Sequence, residues 1–246
     1  MWNLPDPKLE LRNHDRQLPA DLTAKFSNLS FVKNVLPQKV LTVHLTANSS
    51  SHAVHVRGVR DRYSYAVLRL TGVKRRISIE DDPTLRLKPL DPSECALLAV
   101  KYGIVGGRVI GINLRILDAR TNGKVINYVV ELVQELMSKG FDRVLFIPFG
   151  FGSFEGRFFD NDLIIARVLK KYVPNLVIID EELSPKTVLC LFNYLDHVIA
   201  MRHHAVIFAL LTNKPVTALV YDTKTLELLE AIDRGNVNLV LVSDLR

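Results

Sequence analysis

Arg202, His203 and His204 stand together between two apolar runs, residues 197–201 (HVIAM) and residues 205–212 (AVIFALLT). A guanidinium can hold a carboxylate or phosphate in a two-pronged grip that lysine does not reproduce. An imidazole changes charge near neutral pH and can pass a proton. A second arginine, Arg115, follows another apolar run, residues 108–114 (RVIGINL). Arg115 and Arg202 are therefore candidate anion-binding residues, and His204 is the candidate acid–base group. The helix expected from Ala205 adds backbone N–H groups and the positive end of its dipole, again suited to an anion. The plainer alternative for His203 and His204 is that of half-buried strand-end residues bonded to backbone carbonyls. The run GFGSFEGR at 150–157 has the spacing G-x-G-x-x-x-G, which is not the dinucleotide fingerprint; it reads as a phosphate-side loop or a plain turn. Glu181 and Glu182 precede a helix start, where the dipole alone accounts for them, and the basic run 74–76 follows a helix end.

The elements that must position these residues are legible in the hydrophobic pattern. Strands are expected at 108–114, 143–149, 176–180, 197–201, 216–221 and 238–242, with helices at 125–139, 161–172, 184–195, 205–212 and 223–233. Continuous apolar strands spaced by amphipathic helices imply a parallel sheet covered on both faces, that is, a Rossmann-like α/β domain over residues 104–246. Such sheets bind ligands beyond the carboxyl ends of their strands. The reactive side chains gather there, whereas the opposite ends show ordinary loop residues such as Asn175, Lys214 and Pro215. Residues 1–103 read as a reduced N-terminal α/β region, with short strands at 39–45, 53–57 and 77–80 and helices at 61–72 and 91–103. Asp91 is the expected N-cap of the latter, with Pro92 in its first turn and Gly103 closing it.

Of the 246 residues 48% are hydrophobic and 24% charged, enough for a globular core. The net charge of +6 attracts anionic partners, either nucleic acid or small phosphorylated molecules. No aromatic-rich basic face or nucleic-acid module occurs, so no nucleic-acid partner is expected. Cys95 and Cys190 lie in apolar helical patterns and are expected as reduced core residues. No metal-ligand spacing occurs, and no metal is expected. The segment 1–22 is too charged and proline-broken for a signal peptide. No apolar run approaches the roughly 20 residues that span a bilayer, so a cytoplasmic place is expected, with work beside a membrane left open.

The run AMRHHAVIFALLTNKPVTALVYDTK, residues 200–224, resembles the hallmark of the polysaccharide pyruvyl transferase family. That hallmark is a strand ending in Gly-Met-Arg-x-His-Ala, an apolar helix, a second strand and Tyr-Asp-x-Lys; here Ala200 replaces the glycine. The resemblance runs back through IDEELSP, IGINLR (110–115), DDPTLRL and VRDRYSYAVLRLTGV, covering residues 59–221. It implies a two-domain glycosyltransferase-B-like architecture, phosphoenolpyruvate as donor, a pair of glycan hydroxyls as acceptor and no cofactor. The product it implies is a pyruvate ketal on a surface polysaccharide. Carried over residue by residue, Arg115, Arg202 and His204 handle the donor, and Tyr221, Asp222 and Lys224 are substrate-binding. His203 occupies the variable position and receives no role.

One family feature is missing. Members open with a Gly-Asn-x-Gly-Asp loop, whereas the first glycine here is Gly58. The expectation is a reduced first domain, a sequence that starts inside a longer protein, or a partner chain or second copy that completes the cleft. Two other functions stay open beside the transferase: a nucleotide-sugar glycosyltransferase on the same fold, and a non-catalytic binding or assembly subunit.

Overall fold

The computed structural model describes residues 43–47, 54–59, 62–70, 72–74, 76–152, 161–232 and 235–246. Residues 1–22 and most of the run 150–157 lie outside the described residues. Met1–Val43 and His44–Arg246 are two compact units; apart from Val43, every described residue lies in the second.

The first part carries a three-stranded sheet, β1 (Val43–Ala47), β2 (Val54–Val59) and β3 (Ser78–Ile79), in that spatial order. Helix α1 (Arg62–Leu70) connects β2 to the parallel β3 and stops at Gly72, whose φ of +91° is the left-handed conformation glycine adopts without strain. A short 3₁₀ turn, Pro83–Arg86, follows, capped by Asp82. Helix α2 (Pro92–Lys101) opens with a full capping box, Asp91 with Glu94, and Pro92 in its first turn, as its sequence dictates.

Among the described residues, strand and helix alternate from β4 to β9. The order is β4 (Val109–Asn113), α3 (Ala119–Ser138), β5 (Arg143–Phe146), α4 (Asp162–Lys170), β6 (Leu176–Ile178), α5 (Pro185–Asn193), β7 (His197–Ala200), α6 (His203–Leu211), β8 (Val216–Val220), α7 (Thr223–Ala231) and β9 (Val237–Leu241). All pairings in this sheet are parallel, and the strands lie side by side as β6-β5-β4-β7-β8-β9. This is the doubly wound Rossmann order, with its switch point between β4 and β7.

Strand β5 stops at Phe146, short of the expected 149, and two helices of this domain start at least two residues earlier than the pattern suggests. Helix α3 begins at Ala119, not 125, because Asp118 caps it through Thr121 N at 3.0 Å. Helix α6 begins at His203, not 205, which places both histidines in its first turn.

Each face of the sheet has its own core. β4 is buried on both sides: Val109 faces one cluster, Ile110 and Ile112 the other. Gly111 lies so close to Leu195 that a side chain there would collide with it. Helix α6 is apolar all round, with Ala205 through Ala209 buried, so it is a core element and not a surface one. Its Phe208 packs against Phe149 and Phe192 with ring centroids 5.5 Å away in each case.

The cysteines are not reduced. Cys95 of α2 and Cys190 of α5 are joined in a disulfide, with Cα atoms 5.1 Å apart. Both occupy buried helix positions, as the apolar pattern implies, but α2 and α5 turn those faces toward one another. The far end of α2 is also fastened: Tyr102 Oη donates to Glu181 Oε1 at 2.6 Å, and Lys101 pairs with the same oxygen. Burial and then the Glu181 carboxylate push the Tyr102 hydroxyl up to about 12. Glu181 thus binds α2, which corrects the reading of it as a partner for the α5 dipole; Ser184 caps α5.

Candidate functional site

The register at the switch point sets the geometry. Asn113 of β4 pairs with Ala200 of β7. Arg115 and Arg202 each lie two residues beyond that pair, so they leave adjacent parallel strands at the same level. Asn113, almost fully buried, ties the rim together: its Nδ2 donates to Ile147 O at 2.8 Å, and its Oδ1 accepts from Arg202 N at 3.2 Å. One side chain thus links the ends of β4, β5 and β7.

Arg202 grips a carboxylate, and it belongs to the protein. Its Nε and Nη2 donate to Asp162 Oδ2 and Oδ1 at 2.8 and 2.7 Å. Asp162 is fully buried, and its Oδ2 also accepts from Phe149 N at 2.9 Å and Gly150 N at 3.0 Å. A buried carboxylate with four N–H donors is well satisfied despite its desolvation. The pair is therefore stable only as a pair.

His204 meets a carboxylate of different origin. Its Nε2 lies 3.3 Å from Asp82 Oδ2, delivered by the 3₁₀ turn that precedes α2. Burial works to raise the Asp82 pKa, but hydrogen bonds from His204 and Thr84 outweigh it and hold the carboxyl well below its usual range. An ionised aspartate against a half-exposed imidazole is the arrangement that orients a proton-transfer group. His203 turns elsewhere, its Nδ1 3.3 Å from the buried Thr225 hydroxyl.

Arg115 and Tyr221 form the third pair. Arg115 Nη1 donates to Tyr221 Oη at 2.9 Å, and its guanidinium carbon lies 5.4 Å from the ring centroid. Burial raises the Tyr221 pKa, opposed by the charges of both Arg115 and Arg202, so the phenol sits within the field of the two arginines. Asp222 is the N-cap of α7, its Oδ1 accepting from Thr225 N at 2.8 Å. Lys224 is half-buried in the first turn of that helix.

The structure thus sets Arg202 and the Arg115–Tyr221 pair at one level of the carboxyl rim, with His204 two residues beyond Arg202 in α6. Asp222 serves the backbone of α7. Sequence reasoning missed Asp162, Asn113 and the part played by Asp82. Only Asn113, a lone amide in an apolar strand, carried a local signal. A groove of about 350 Å³ between α3 and α4, lined among others by Ile116, Asn122, Ile164 and Tyr172, contains no carboxylate, cation or histidine to do such chemistry.

Among solved structures, the chain is similar to the C-terminal domain of a glycosyl transferase group 1 family protein (LpcC) from Francisella tularensis, at 16% identity and TM-score 0.41. That match covers 64% of this chain and 78% of the other. It is also similar to an alpha,alpha-trehalose-phosphate synthase (UDP-forming) from Burkholderia vietnamiensis, at 10% identity and TM-score 0.43, over 76% of this chain and 50% of that one. This chain therefore spans about half the length of the synthase. No curated protein matches it. The fold assignment rests on the strand order and not on these likenesses. The family model described as polysaccharide pyruvyl transferase matches residues 12–223, most of the chain and every residue of the rim from Asp82 to Asp222. With that span matched, the chain belongs to the polysaccharide pyruvyl transferase family.

Proposed function

We propose that this protein transfers the three-carbon unit of phosphoenolpyruvate to two hydroxyls of one glycan sugar, giving a pyruvate ketal and inorganic phosphate. The observation that carries the reading is the level placement of Arg115 and Arg202 beside His204 at the switch point. Two guanidinium groups suit a donor that bears both a carboxylate and a phosphate. His204, oriented by Asp82, gives a proton to the donor's methylene carbon. The double bond's electron pair forms the new C–H bond, leaving an oxocarbenium-like carbon that the first sugar hydroxyl attacks. Phosphate then departs with its bonding pair, and the second hydroxyl closes the ketal; the two hydroxyl protons leave to His204 and to phosphate. Tyr221 orients Arg115, and Lys224 adds a cation at the same rim.

The acceptor is a surface polysaccharide or its precursor, and the reaction takes place in the cytoplasm, possession of the donor being the requirement. Among the described residues no helix is long and apolar enough to cross a membrane.

The test is calorimetric titration with phosphoenolpyruvate together with phosphate release in the presence of glycan acceptors. Wild type binds the donor; Arg115→Ala weakens binding by about tenfold or more. His204→Gln binds the donor but releases phosphate roughly 10²–10⁴-fold more slowly. Tighter binding of a nucleoside diphosphate than of phosphoenolpyruvate would overturn the reading in favour of a nucleotide-sugar enzyme. Donor binding without phosphate release in the wild type, with any acceptor, would make the chain a binding subunit.

A further inference from the structure

We infer that Asp162 is a positioning residue for the donor site, acting through Arg202; the inference rests on the donor reading above. Arg202 could serve an anion in two ways. It could supply net positive charge, or it could supply N–H groups aimed in a fixed direction. The structure favours the second. Asp162 takes the Nε and Nη2 edge of the guanidinium with both oxygens, which fixes the plane of the group and the direction of its remaining edge. Because the carboxylate is fully buried and lies 2.7 Å from Nη2, it offsets much of the Arg202 charge at the rim. Most of the charge that meets a donor with two anionic groups then comes from Arg115 and its neighbours, and Arg202 contributes chiefly geometry.

The same carboxylate reaches a second element. Oδ2 accepts from Phe149 N and Gly150 N, the Asp162 amide donates back to Gly150 O at 2.8 Å, and Phe151 and Asn161 form an antiparallel bridge. Asp162 therefore clasps the base of the connection between β5 and α4 and orients Arg202 at once. A disturbance of one is felt by the other, since both share the oxygen Oδ2.

The two roles for Arg202 predict opposite signs for Asp162→Asn. If Arg202 acts by charge, removing the neighbouring negative charge strengthens anion binding. If Asp162 positions the guanidinium, the amide loses one acceptor, sets an NH₂ against the N–H donors, and weakens binding. A merely structural Asp162 lowers the melting temperature and leaves the affinity of the folded protein as it was. The experiment is calorimetry with phosphoenolpyruvate on wild type and Asp162→Asn, with folded protein confirmed by melting. We expect the dissociation constant to rise by about tenfold or more; an unchanged or lowered constant overturns the inference. Should Asp162→Asn fail to fold, Arg202→Lys decides the matter. It keeps the charge and loses the planar grip, so weakening by about tenfold or more supports positioning, and wild-type affinity overturns it. If wild type does not bind phosphoenolpyruvate, the donor reading falls by itself, and the same variants are compared with inorganic phosphate as probe. Wild-type binding of neither anion overturns both.

Discussion

The two rims of the six-stranded sheet both carry polar side chains, and a histidine stands at each. At the amino ends of the strands the charged groups brace the backbone, and the histidine meets a neutral hydroxyl. Asp196 Oδ2 accepts from Val109 N at 2.8 Å, Lys214 Nζ donates to Asn193 O at 2.8 Å, and His197 Nε2 meets the Thr217 hydroxyl at 3.0 Å. At the carboxyl ends, side chains from distant elements meet one another: Arg202 with Asp162, His204 with Asp82, Arg115 with Tyr221. Bonds to backbone shape the chain and leave little chemistry to do. Charged side chains oriented by other side chains define a reactive surface. The difference between the rims is thus one of partner, not of composition.

The strongest way to break this contrast is to unpair each rim. Arg202→Ala leaves the fully buried Asp162 carboxylate without its cation and should cost about 3–5 kcal/mol in urea denaturation. The two histidines then separate function from fold. His204→Gln should lower turnover by roughly 10²–10⁴-fold with little change in melting temperature. His197→Gln should leave turnover unchanged and lower stability by about 1 kcal/mol, the net worth of a typical hydrogen bond. Equal effects of the two on turnover would erase the distinction between the rims.

Acid titration sharpens it further. Burial depresses the His197 pKa below its ordinary 6.5. The unfolded chain then binds more protons there, so stability falls as pH drops from 6.5 through the folded value. Asp82 is depressed below its ordinary 3.8, burial opposing and His204 and Thr84 prevailing. Its contribution is complete above 3.8 and is lost only as pH falls further. Unfolding followed against pH should show the amino-end loss first, and His197→Gln should remove it. The smallest effect is expected from Lys214→Ala: a half-buried cation on a carbonyl, worth about 0.5–1 kcal/mol by melting and nothing in turnover.

Much of this was legible in the chain itself. Parallel strands announce themselves as unbroken apolar runs, and a cation directly after such a run must stand at a carboxyl end; Arg115 and Arg202 are visible for that reason. Their partners are not. Asp162 looks like an ordinary first-turn acid after its Asn161 cap, and nothing local says that it lies against a residue 40 positions on. Asp82 reads as a turn residue before proline until folding sets it on α6. Cys95 and Cys190 are each recognisable as core positions, but pairing depends on which helix faces turn together, a property of the assembled layers. Periodicity records which face is buried and is silent about what it is buried against.

The sulfur bridge bears on the imidazole in a way its position on α2 makes concrete. Asp82 sits just upstream of α2, and α2 is riveted to α5 near its start by Cys95–Cys190. A cross-link between residues 95 apart in sequence removes about 4–5 kcal/mol of freedom from the unstructured chain in the entropic account. It also shortens the leash on which Asp82 travels. Oxidised, the segment begins its search for His204 already moored within reach; reduced, it keeps the packing of α2 on the core and the exposed Lys101 and Tyr102 contacts with Glu181, the latter loosened by salt and solvent with ease.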